Sequence, residues 1–275
     1  MNNVLSGGLA WTGVLLLSIH FNVFATDNLR LPDTRAMAAG ENGVIESSLF
    51  NPALVAFSAR RSAGFHYFNK YNIKELGMLT GSFQYPNSVL PTAVGIASFG
   101  YDAYRESMLH LSAAKRLNGR WAAGVAVHYT VLQTELYEGS PARLGADAGV
   151  LYAPADEWLI GLSVLNAPSV SVGDRLAYTG SMADYAAQAG IRWAIMENLL
   201  LTGSLCSGGE QPLRGGMGME YTVFDQFCLR SGIHTSPLCP SFGAGFEAGS
   251  FGLDVAAVYH PVLGISTGVG LSFYF

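Results

Sequence analysis

Charge is what this chain has least of: only 13% of its residues are Asp, Glu, Lys or Arg, against about a quarter in an ordinary soluble domain. The net charge of −5 removes the electrostatic basis for binding nucleic acid. There are three cysteines, Cys206, Cys228 and Cys239. Their spacings match no zinc or redox pattern, and any disulfide would strand the third, so they read as small apolar filler. Past the first 25 residues no uninterrupted apolar run reaches the roughly 18 residues a membrane-crossing helix needs, which argues against a helical membrane protein. Phosphate-binding glycine loops, zinc signatures and paired glycosidase acids are also missing, and no cofactor is implied.

What the chain does have is hydrophobicity cut into short pieces: half of its residues are apolar and 33 are glycine. Gly264 to Phe275 set Ile265, Thr267, Val269, Leu271, Phe273 and Phe275 on one face of a strand, and Ser266, Gly268, Gly270, Ser272 and Tyr274 on the other. One wall is greasy and the other small and polar, as a membrane-spanning barrel strand requires. A soluble β-sandwich is the competing explanation of such alternation.

The same alternation recurs from Ser62 onward in runs of roughly ten residues separated by turn formers. The expected strands are approximately 62–69, 75–85, 91–100, 106–116, 120–132, 143–153, 157–166, 183–194, 198–207, 213–223, 226–234, 241–248, 251–260 and 264–275. The fold class is therefore all-β, an antiparallel transmembrane barrel of fourteen strands, with twelve as the alternative count. The outward faces carry Trp121, Val125, Val127, Tyr129, Leu144, Val150, Ile191, Trp193, Met217, Met219, Leu229, Phe242 and Val255, none of them charged. The inward faces carry His128, Asp147, Gln188, Arg192, Arg214, Glu220, Arg230, His234, Glu247, Asp254 and His260. That segregation is expected where a lipid-facing Arg or Lys costs about 2–4 kcal/mol at mid-bilayer. With the carboxyl terminus on the periplasmic side, the periplasmic turns come out tight apart from the one near Tyr85 to Pro91, while the outer turn near Pro261 to Gly264 is short. The longest connections, Thr134 to Arg143, Asn166 to Ala183, Ser207 to Leu213 and Thr235 to Pro240, fall on the outside.

Three regions follow: residues 1–25 as an export leader, with an apolar stretch and a Val23, Phe24, Ala25 end but no basic residue at its start; residues 26–61 as a small non-alternating insert; and residues 62–275 as the barrel. Within the insert, Pro52 holds Asn51 extended, and the small residues around Ala36 to Gly43 permit close packing in a barrel mouth.

Among the inward charges, Glu220 and Arg230 sit symmetrically about the tight turn at Asp225, which predicts an inward-facing ion pair across neighbouring strands. Glu247 and Asp254 extend it toward a lumen network with Arg192 or Arg214, serving to anchor the insert or only to satisfy charges inside a filled barrel. His234 with Ser236 and His110 with Ser112 share faces but have no convincing acid partner, so no enzyme is implied. His66, His128 and His260 stand alone on separate strands, and no metal site follows from them.

On Arg35 to Gly43, on Asn51, Pro52 and Ala53, and on the terminal Phe273 and Phe275, the chain resembles the FadL-like outer-membrane transporters and their PorV/PorQ-type relatives. The resemblance implies the outer membrane of a Gram-negative bacterium, with outer-membrane lipids and the barrel-assembly machinery as partners. Phe273 and Phe275 would then be the assembly signal. It also implies an amino-terminal hatch with Asn51, Pro52 and Ala53 as the gate, and either of two roles: binding or passage of a small hydrophobic ligand, or a non-transporting scaffold for a type IX-like secretion-system component. The short outer loops depart from the transporter pattern and bring an external capture groove into question.

Overall fold

The computed structural model describes Leu29 and residues 33–135, 139–172, 185–208 and 211–275. The expected export leader lies outside these residues. Alternating side chains draw the chain into fifteen strands: β1 Ser62–Asn69, β2 Gly77–Tyr85, β3 Thr92–Tyr101, β4 Tyr104–Arg116, β5 Trp121–Thr134, β6 Ala142–Tyr152, β7 Trp158–Leu165, β8 Ser169–Val172, β9 Ala186–Met196, β10 Leu199–Gly208, β11 Gln211–Phe224, β12 Phe227–His234, β13 Cys239–Ala248, β14 Phe251–His260 and β15 Gly264–Tyr274. Each strand pairs antiparallel with its neighbours, and β1 closes the ring against β15 from Ser62↔Tyr274 to Asn69↔Thr267.

Strand β8 is not a fifteenth stave. It pairs with β6 from Ala142↔Val172 to Gly145↔Ser169, just beyond the β6–β7 ladder of Ala148↔Val164 to Tyr152↔Ile160. β7 and β8 are thus one stave broken at Asn166, which takes a left-handed φ of 56°. The break is bridged by Asp147, whose carboxylate accepts the Asn166 N–H at 2.7 Å. The result is a closed, fourteen-stranded antiparallel β-barrel.

Closure removes the sheet edges around the ring, so backbone polar groups find partners in neighbouring staves, as a lipid surround demands; the short β8 at the loop end pairs only with β6 among the described residues. The outward positions form an unbroken apolar surface on which Val125, Ile96, Leu162, Met217 and Phe242 are each more than half exposed. A side-chain set this greasy left in contact with solvent would be an aggregation hazard in water, and it is the normal covering of a barrel in a bilayer. Trp121 stacks on Tyr152, and Trp158 on Trp193, at the end of the barrel where β1 begins and β15 ends. Amphipathic rings favour that interfacial level.

That end, called here the turn end, carries tight links at Glu197–Asn198, Asp225–Gln226 and Gly249–Ser250. The opposite, loop end is less uniform than its sequence suggests. Asp102–Ala103 is a tight turn there, and the expected long connection between Ser207 and Leu213 is shortened, because β10 and β11 run on to pair Gly208 with Gln211.

Candidate functional site: the lumen and the segment inside it

Residues 33–58 do not join the wall; they lie within it. Asp33 caps the helix α1, Thr34–Ala38, by accepting the Arg35 N–H at 3.0 Å. Gly40, with φ +77°, then turns the chain hard against the wall, where a Cβ would sit 2.4 Å from the Met217 carbonyl oxygen, so only glycine fits. Helix α2, Gly43–Glu46, follows, and Asn51 caps a 3-10 turn over Pro52–Phe57 whose first residue is the proline. Proline suits that position because its missing N–H would have no partner in any case.

Asn51 is fully buried and spans the segment and the wall. Its Nδ2 donates to Val44 O at 3.1 Å and Leu162 O at 3.4 Å, and its Oδ1 accepts the Ala53 N–H at 3.1 Å. Gly149 on β6 makes the room, since a Cβ there would fall 2.0 Å from Asn51 Oδ1. Pro52 and Ala53 press against Gly124 of β5 in the same manner. Elsewhere Asn42 donates to Thr202 Oγ1 at 2.8 Å and accepts from the Ser204 hydroxyl at 2.5 Å. Ser241 donates to Ala38 O at 3.0 Å, and Arg116 Nε donates to Ala56 O at 3.2 Å. Opposite sides of the barrel therefore hold the segment.

Charge adds a further tie. Glu220 and Arg230 are cross-strand partners, as their spacing about Asp225 predicts, and Arg230 Nε donates to Glu220 at 2.5 Å while its Nη1 pairs with Asp254. Arg35 of α1 completes the group, bonding Glu220 at 2.8 Å and Glu46 at 3.3 Å. Burial pushes the Glu46 carboxyl above its ordinary range, and the Arg35 and Arg192 guanidiniums pull against that shift. Arg214 pairs instead with Glu41, beside His234, and Glu247 pairs with half-exposed Arg60 at the turn end, so these two sequence-named charges stand apart from the cluster. Arg35 and Glu41 fall within the insert expected from sequence, but sequence alone assigns neither them nor Glu46 to the charge network, because they lie on a segment without strand periodicity.

Strand register also gathers residues that looked solitary. His110, His128 and Asp147 meet on the inner face of β4–β6, with Asp147 Oδ2 3.2 Å from His128 Nδ1 and 3.5 Å from His110 Nε2. His66 faces Thr34, with Nδ1 3.1 Å from its hydroxyl. The His260 ring accepts the backbone N–H groups of Val262 and Leu263. Ser112 and Ser236 donate to backbone carbonyls, of Ala93 and Leu213, rather than to the histidines near them in sequence. All three cysteines are free thiols.

Two cavities flank the segment. The loop-end cavity holds about 290 Å³ and mixes apolar walls (Met37, Val44, Phe50, Phe68, Met78, Val258) with Glu41, Lys70, Arg214, His234 and His260. The turn-end cavity, about 320 Å³, is lined by polar groups such as Ser62, Ser82, Gln84, Asp254, Ser272 and Tyr274. Phe273 and Phe275 belong to the outer face: Phe273 packs edge-on to Phe251, and Phe275 stacks on Phe83.

No protein-family model and no curated protein matches the sequence. Solved structures do match. The Pseudomonas putida toluene transporter TodX superposes with a TM-score of 0.62 over 88% of this chain and 96% of its own, at 9% identity. A TodX monoaromatic hydrocarbon channel deltaS2 mutant gives 0.63 over 92% and 100%, at 9% identity. A Pseudomonas aeruginosa FadL homologue gives 0.55 over 88% and 96%, at 13% identity. At such identities the likeness is one of architecture: this chain folds as a closed fourteen-stranded antiparallel barrel like those of the FadL-type structures.

Proposed function

We propose that the protein is an outer-membrane barrel that binds small, largely hydrophobic compounds at its loop end and passes them inward, with residues Arg35 to Phe57 acting as a hatch. The observation that carries this reading is the loop-end cavity. Its apolar walls and 290 Å³ volume suit a compound of modest size, and its floor is the amino-terminal segment rather than the barrel wall. Fold likeness to a structure described as a toluene transporter supports the same cargo class, and the scaffold alternative draws no support from it. In this orientation the turn end faces the periplasm.

The chemistry asked of the site is modest. An apolar compound gains roughly 25 cal/mol for each Å² of surface it removes from water, and the Glu41–Arg214 pair at the rim leaves room for a polar substituent. Apart from the chain running on into β1, the floor is tied by hydrogen bonds and by the ion pairs of Arg35 and Glu41, with no disulfide among the described residues, so it can detach without disturbing the wall. Deleting Arg35 to Phe57 should raise the leak of small solutes from vesicles carrying the barrel, measured by swelling or dye efflux. Unchanged leakage would remove the hatch assignment.

A further inference from the structure

The two cavities have one carboxylate in common. Asp33 lines the loop-end cavity and also the turn-end cavity, at the point where α1 begins against β1. It is partly exposed, and its Oδ1 caps α1 through the Arg35 N–H. The turn-end cavity below it is bordered by two further acids, Glu46 and Asp254, set against Arg35 and Arg60. Arg35 is committed to Glu46 and Glu220, and Arg60 to Glu247. The junction is thus marked by a carboxylate whose neighbouring cations already hold other acids.

We propose that Asp33 is a charge filter at the junction of the two cavities, so that cargo moves straight through the lumen to the turn end and aromatic compounds with a neutral or cationic head pass in preference to those with an anionic head. The inference rests on the transport reading above and adds to it a route, a discriminating residue and a cargo chemistry. A unit charge a few ångströms from an approaching head group acts strongly in a narrow, partly desolvated passage, repelling carboxylates and attracting ammonium groups. The polar lining of the turn-end cavity then receives a head group that the mixed loop-end cavity need only tolerate. Exit through the wall would bypass Asp33 and show no such preference.

The test is the reversal potential of the full-length protein in a planar bilayer under a gradient of phenethylammonium 3-phenylpropionate, which reports which aromatic ion crosses faster. The wild-type protein should favour the ammonium ion. Asp33→Asn retains a good helix cap and removes only the charge, and should reduce the ammonium-to-carboxylate permeability ratio several-fold. Asp33→Ser, which also caps, should do the same and guards against a folding defect peculiar to one variant. A ratio unchanged in both variants, with conductance intact, overturns the filter while leaving transport standing. Absence of aromatic-ion current in the wild type overturns the filter alone if vesicles carrying the protein still take up neutral toluene faster than protein-free vesicles, and overturns the transport reading as well if they do not.

Discussion

Replacing Asn51 by alanine isolates how the lumen segment is held. The side chain is fully buried, caps the 3-10 turn through the Ala53 N–H, and donates to one carbonyl of the segment and one of the wall. Losing a helix cap costs about 1 kcal/mol. Buried groups left without a partner cost about 1–3 kcal/mol, with the low end fitting here because the Leu162 contact is long. Together the segment should lose roughly 2–3 kcal/mol of attachment, which at 1.4 kcal/mol per tenfold raises its detached population roughly 30- to 150-fold. Hydrogen exchange reads this directly. The Ser47, Asn51 and Leu54 amides, bonded within the segment, should exchange faster by about that factor, whereas β5 amides keep their wild-type rates. Unchanged exchange in the segment would refute the account of Asn51 as its tie to the wall. Equal acceleration in β5 would refute the idea that segment and wall open separately.

Two further perturbations probe the wall. Val125 is 62% exposed near the middle of β5 and faces outward, so Val125→Arg should destabilise the barrel by about 2–4 kcal/mol in urea titrations in lipid vesicles; a loss below about 0.5 kcal/mol would mean that position does not meet acyl chains. Removing Phe275, whose ring stacks on Phe83 at the outer surface and whose N–H donates to the Arg61 carbonyl at 3.0 Å, should slow assembly into the outer membrane in cells while leaving the stability of the refolded barrel within about 2 kcal/mol, and normal assembly kinetics would dismiss it as a signal.

The wall was legible because each of its strands solves the same problem. A residue facing lipid must be apolar and one facing the lumen need not be, so period-two alternation located every stave from β1 to β15, and symmetric placement about Asp225 gave the Glu220–Arg230 pairing. Where another force overrode alternation, the reading slipped. Gly208, Gln211 and Pro212 look like loop formers, yet ladder pairing carries β10 and β11 through to them. Asn166 looks like the start of a long loop, yet Asp147 satisfies its N–H and the stave resumes as β8. The lumen contacts were hidden for a different reason. Arg35 and Glu41 pair with wall residues 185 and 173 positions away, and no local spacing encodes a contact of that range.

A trace of those contacts was nonetheless written in the wall, as glycine on its inner face. Gly218 and Gly232, on adjacent strands and paired with each other, would each drive a Cβ to 2.2 Å from the backbone at Ala39 or Gly40. Gly190 meets Val44 at 2.4 Å, and Gly149 meets Asn51 at 2.0 Å. Glycine weakens a strand, since it adds entropy to the unfolded chain and packs nothing, so an inward stave position has reason to lack a side chain where something else already fills the space. Outward positions on the same strands mostly keep full-sized side chains such as Met217, Met219 and Ile233, although Gly215 of β11 is an outward glycine beside Leu205. The inward glycines are thus a footprint of the segment pressed into the barrel. They also limit how it can be replaced: a bulkier insert would collide with the wall, and a thinner one would leave gaps against the inward glycines.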